Sequence, residues 1–140
     1  MRIAIYPNVT KSGAGEILER VIKFANQYNI ELLLPPKEGK FFYHEELINQ
    51  NIEKEYIDMA ISIGGDGTLL GLCRRLAKNG IPVCGINIGH LGFLADIEPG
   101  EIEAKLTKII NRQYKIEERL MLSAYIKRTR ENKLYWQCCK

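Results

Sequence analysis

Ile61-Ser62-Ile63-Gly64-Gly65-Asp66-Gly67-Thr68-Leu69-Leu70 is the stretch whose reading decides the fold. An apolar run stops at two glycines, an acid, a third glycine and a threonine, and a helical pattern follows. A buried strand that turns sharply into a helix reads this way. Glycines let the backbone turn tightly and approach a ligand, because no Cβ intervenes. Successive backbone N–H groups at a strand end or helix N-terminus favour anionic oxygens such as phosphate. Asp66 runs against that logic: a carboxylate among phosphate-seeking amides repels phosphate unless it has a separate task.

Working outward, residues 58–63 are the strand that feeds this turn. Residues 68–78 are the helix that leaves it, with Leu69, Leu72, Cys73 and Leu76 on one face and Asn79-Gly80 as a left-handed stop. Upstream, residues 2–6 read as a strand. Residues 14–28 read as a helix with Ile17, Leu18, Val21, Ile22, Ala25 and Tyr28 at helical spacing, capped by Ser12 or Gly13. Residues 30–34 form a short apolar run, expected to be a strand buried on both faces, and Pro35-Pro36 stops it. Residues 37–43 show no period and are expected to be a surface loop, followed by a short helix over 44–51. Downstream, residues 82–86 are another buried strand and residues 91–95 are again apolar. A helix opening at Pro99 or Gly100 buries Ile102, Leu106, Ile109 and Ile110. Strands alternating with helices predict an α/β fold, an open parallel sheet with flanking helices and right-handed crossovers. After Gln113 the pattern changes. Residues 120–127 and 133–138 read as two strands across a polar turn at 128–132, the start of an antiparallel β second domain. The expected division is therefore 1–113 and 114–140.

At 140 residues the sequence is long enough for a proper core, and 46% hydrophobic with 26% charged residues places it among ordinary globular proteins. A net charge of +3, with basic residues scattered among acids, suits an anionic small molecule and leaves no nucleic-acid footprint. No apolar run approaches a membrane span, and the first residues lack a signal peptide's apolar region, so a cytoplasmic protein without membrane association is expected. The four cysteines, Cys73, Cys84, Cys138 and Cys139, contain no C-x-x-C pair, which argues for reduced thiols rather than a zinc or redox site. Cys73 and Cys84 are expected to be buried, and Cys138 and Cys139 to point to opposite sides of a strand.

Two better-known phosphate motifs fail. Gly13-Ala14-Gly15 follows the first strand, but Leu18 stands where G-x-G-x-x-G requires glycine. Gly80 and Gly85 have Walker A spacing, yet Ile86 and Asn87 follow instead of Lys and Ser or Thr. For the 64–68 turn two readings stand. In one, Asp66 merely caps the helix. In the other, the glycines contact phosphate while Asp66 orients a hydroxyl and accepts its proton during attack on a phosphoryl group.

Gly64-Gly65-Asp66-Gly67-Thr68 resembles the signature shared by NAD kinases, diacylglycerol and sphingosine-type lipid kinases and, more loosely, phosphofructokinases. Asn87-Ile88-Gly89-His90-Leu91-Gly92-Phe93-Leu94-Ala95-Asp96 is similar to the second motif of NAD kinases in particular. Glu118-Arg119-Leu120-Met121-Leu122 resembles that family's Glu-Arg-x-Met-Leu segment at the start of its second domain. The resemblance implies phosphoryl transfer from ATP, or polyphosphate, to the 2′-hydroxyl of the adenosine ribose of NAD, giving NADP. It makes Asp66 the proton acceptor. It makes Gly67, Leu70 and Phe93 contacts to the dinucleotide, with Gly64, Gly65 and Thr68 in the same turn. Mg²⁺ would arrive with ATP, with no dedicated metal site, and the full-length protein would be a homo-oligomer. For Phe93 the competing reading is core packing. For His90 and His44 it is a surface position, and for Arg74 and Arg75 a charged helix face.

The family's later elements, an Asn-Glu or Asn-Asp pair and a Thr-x-Thr-Gly-Ser-Thr-Ala-Tyr segment, have no counterpart in these 140 residues. The chain is thus expected to supply the N-terminal half of a site and to be inactive alone. The alternatives are a truncated or diverged nucleotide-binding or oligomerising module without catalysis, and a lipid kinase.

Overall fold

The computed structural model describes residues 1–89, 92–128 and 131–139. Strands β1 (Arg2–Pro7), β2 (Glu31–Leu33), β3 (Met59–Gly64) and β4 (Val83–Asn87) form one parallel sheet in the order β2-β1-β3-β4. Alternate residues of each strand serve opposite faces, as the pleat requires. Ile3, Ile5, Met59, Ile61 and Ile63 pack under helices α1 (Ala14–Gln27) and α4 (Ile102–Ile110). Ala4, Tyr6 and Ala60 pack under α3 (Asp66–Leu76), against Leu72 and Leu76. The result is three layers, helix on sheet on helix. Arg20 ties α1 to α4: its Nε and Nη2 donate to the Glu103 carboxylate at 2.9 and 2.6 Å, and its Nη1 to the Pro99 carbonyl at 2.7 Å.

Most elements fall where the periodicity puts them. The exceptions have local causes. Gly13, not Ser12, holds the capping position of α1, and its left-handed backbone (φ 86°) makes the turn without a side-chain cap. Residues 37–43 are not a loop. Pro36, whose ring presets a helical φ, opens the short helix α2 (Pro36–Phe41), which is too brief to show an apolar period. Phe42 packs against the core, whereas Phe41 and Tyr43 are exposed. The helix expected over 44–51 shrinks to a 3-10 turn at Glu45–Leu47, because Leu34 and Ile48 pair as an isolated bridge. β2 lies at the sheet edge, yet Leu32 and Leu33 are buried in opposite layers, as expected of a strand covered on both faces. Cys73 and Cys84 are only partly buried; Cys84, on the edge strand β4, still packs against the core. The expectation for Cys138 and Cys139 concerns side chains outside the description. Strands β5 (Met121–Arg128) and β6 (Glu131–Cys139) pair antiparallel as a second, separate sheet, and both extend into the 128–132 span expected to be the turn.

Candidate active site

From β1 the chain crosses to β2 on one side, and from β3 it crosses to β4 on the other. The loops that leave β1 and β3 therefore diverge at the carboxyl ends of adjacent strands. Ligands of open α/β sheets bind in such crevices. The register places Pro7 beside Ile63 and Gly64 beside Asn87, so the segments after all three strands start from one edge.

Gly64 closes β3, and its carbonyl accepts the Ile88 N–H at 2.9 Å. A Cβ on Gly64 would stand 2.7 Å from the Thr68 Cβ, so this glycine exists to let the first turn of α3 fold back onto the strand. Gly64 is buried, whereas a Cβ on Gly65 or Gly67 would meet nothing within 4 Å. None of the three has a positive φ. Their value is therefore close approach rather than a left-handed turn, and only Gly65 and Gly67 face open space. Thr68 and Leu70 follow in α3, both half-buried.

Asp66 is the first residue of α3, not its cap. Gly65 holds the capping position and no side chain bonds there. The Asp66 carboxylate instead reaches across to the second motif. Its Oδ2 accepts the Phe93 N–H at 2.8 Å, and its Oδ1 accepts those of Leu94 at 3.1 Å and Ala95 at 3.3 Å. The Phe93 amide above all, with Leu94 and Ala95, holds this carboxyl below the usual carboxylate range. Asp66 is thus ionised, oriented and shared by both motifs, and the simple capping reading is set aside. Gly92 makes the approach possible, since a Cβ there would lie 2.7 Å from the Asp66 Cγ. The Phe93 side chain does not join the core: it is 101% exposed at the rim of the site.

One participant escaped the sequence reading. Asn8, just past β1, donates from Nδ2 to the Thr68 hydroxyl at 3.0 Å. Asparagine directly after a strand, with Thr10 two residues on, is a turn signal, but its partner lies sixty positions away. Arg75 is not at the site. It sits nine residues after Asp66, about 13 Å along the helix, paired with Glu53 and stacked over the Tyr6 ring at 5.2 Å. Arg74 shares that last turn. His44 lies elsewhere, between Glu19 and Glu46. His90 falls outside the described residues. Among the described residues no three His, Cys, Asp or Glu side chains gather closely enough to hold a metal ion. No helix among them is long and apolar enough to cross a membrane.

The fold is a three-layer parallel α/β domain, and the Asp66 carboxylate lies at the strand-end crevice where open sheets of this class place their ligand sites. More narrowly, the chain belongs to the NAD kinase family: the family model of the ATP-NAD kinase N-terminal domain matches residues 5–114. A NAD kinase of Natranaerobius thermophilus is 35% identical over 130 residues, covering 92% of this chain and 46% of its own length. One of Pseudomonas entomophila is 48% identical over 128 residues, covering 88% and 43%. The fold is similar to that of yeast NADH kinase complexed with NADH (TM-score 0.80, 18% identity, 99% of this chain and 46% of that one). It is also similar to that of an NAD kinase from Archaeoglobus fulgidus in complex with ATP (TM-score 0.58, 24% identity, 89% and 42%). The chain spans less than half the length of the curated relatives it matches.

Proposed function

We propose that this chain supplies the N-terminal half of an NAD kinase site, and that Asp66 orients the 2′-hydroxyl of the adenosine ribose of NAD and accepts its proton. The hydroxyl oxygen forms the new bond to the γ-phosphorus of ATP. The bond from that phosphorus to the β–γ bridging oxygen breaks, ADP leaves, and the hydroxyl proton passes to an Asp66 carboxylate oxygen. The observation that carries the reading is the contact between Asp66 and the amides of Phe93, Leu94 and Ala95, which brings both family motifs to one carboxylate. A carboxyl held at low pKa is a weak base, which suits a loose phosphoryl-transfer transition state, where alignment matters more than early proton removal.

Gly65 and Gly67 offer open backbone to phosphate, and the exposed Phe93 ring and half-buried Leu70 offer apolar contact to an adenine. Mg²⁺ would enter with ATP and neutralise phosphate charge. The second motif at Asp66 favours this reading over a lipid kinase. The division at residue 113, a cytoplasmic location and a homo-oligomer of the full-length protein belong to the same proposal.

Purification at native length, with ATP, Mg²⁺ and NAD supplied, is expected to yield NADP, whereas residues 1–140 alone are expected to yield none. Absence of NADP at native length would overturn the proposal and favour a non-catalytic nucleotide-binding module. Turnover by residues 1–140 alone would overturn the half-site assignment.

A further inference from the structure

We propose that Asn8 is a positioning residue for the reaction, holding the first turn of α3, and with it Asp66, through the Thr68 hydroxyl. The inference rests on the role proposed for Asp66.

The geometry starts from the sheet. Pro7 pairs with Ile63, and the Asn8 N–H extends that pairing by donating to the Ile63 carbonyl at 2.9 Å. The Asn8 side chain therefore leaves the sheet beside Gly64, where β3 ends. Thr68 covers Gly64 so closely that no Cβ fits between them. Asn8 Nδ2 meets the Thr68 hydroxyl there at 3.0 Å.

The amide has no freedom to turn over. Its Oδ1 accepts both the Thr10 N–H at 3.0 Å and the Thr10 hydroxyl at 2.8 Å, which directs Nδ2 at Thr68. Thr68 is β-branched, so fixing its hydroxyl fixes χ1 and the backbone that carries it. Asp66 lies two residues earlier in that same turn. Asn8 thus connects the two loops that diverge at the strand-end crevice. Small displacements of a catalytic group are costly in rate, because the attacking geometry is narrow.

The test is a double-mutant cycle on the protein at native length, with Asn8→Ala, Thr68→Val and the pair. Asn8→Ala is expected to lower kcat about tenfold or more, with KM for ATP and NAD within about twofold. In the Thr68→Val background it is expected to change nothing further, because the partner is already gone. Thr68→Ser, which keeps the hydroxyl, is expected to remain sensitive to Asn8→Ala. Wild-type kcat in Asn8→Ala, or losses that simply multiply in the pair, would overturn the inference.

Carboxyl and amide NMR of the same variants reads the effect without turnover. Asn8→Ala and Thr68→Val are each expected to shift the Asp66 carboxyl titration upward and to move the Phe93 and Leu94 amide signals alike. If the wild type makes no NADP, the proposed function fails, and this spectrum still decides the role of Asn8. Unchanged Asp66 and loop signals in both variants would overturn it.

Discussion

Residues 64–68 and residues 92–95 face each other across Asp66, but they are held by different forces. The first stretch is continuous with the core. Gly64 pairs within the sheet, Thr68 packs onto it, and Leu69 and Leu72 bury the helix that follows. The second stretch is anchored by burial only from Ala95 and Ile97 onward, beside β4. The Phe93 ring is fully exposed, and the amides of Phe93 and Leu94 rest on one carboxylate. One wall of the candidate site is therefore built by folding, and the other is latched by the residue proposed to do the chemistry.

Removing the latch tests that contrast hardest. Asp66→Asn is expected to lower NADP formation about a hundredfold to ten-thousandfold, the range of a lost acid–base group. Dinucleotide binding should be largely retained. The variant should also speed hydrogen exchange at the Phe93 and Leu94 amides and leave β3 amides protected. Turnover like the wild type would remove Asp66 from the chemistry, and exchange that rises equally in β3 would erase the distinction between the walls.

Gly64→Ala strikes the built wall. Its methyl group must displace a stiff, β-branched Thr68, so thermal or denaturant unfolding should show a loss of about 1–3 kcal/mol, as for overpacked cores. Gly92→Ala places the same methyl group against the Asp66 carboxylate. There the loop can yield, so the loss of global stability should stay below about 0.5 kcal/mol, while the Phe93 amide signal shifts. Equal losses from the two alanines would show that the second wall is as rigid as the first.

Acidity sharpens the contrast further. The folded state depresses the Asp66 carboxyl, so the latch is complete above its ordinary value of 3.8 and opens as pH falls through the lower folded value. The Phe93 amide shift followed against pH should report that opening. Far from the site, His44 behaves oppositely. Burial disfavours its charged form, but hydrogen bonds to Glu19 at 2.8 Å and Glu46 at 3.1 Å outweigh it and raise the pKa. Its contribution is full below the ordinary value of 6.5 and fades as pH rises through the folded value. His44→Gln should flatten the pH dependence of stability by less than about 1 kcal/mol, because both carboxylates are exposed.

Much of this was legible from residues alone. The strand-turn-helix at 58–78 was written in its periodicity and its glycines, and the parallel α/β class followed from alternation, since period and turn chemistry are local properties. The motifs named the family and pointed to Asp66. What the sequence could not convey is what Asp66 touches. Its partners are backbone amides 27 to 29 positions away, and an amide carries no residue identity for a motif to record. The same holds for Gly64, which reads as a ligand-facing glycine but serves Thr68, and for Asn8, whose partner is set by the register of β1 on β3. Local pattern determined the elements and the candidate acid. Only tertiary structure decided which glycines stay open, what orients the carboxylate and what steadies the turn, because those depend on which strands become neighbours.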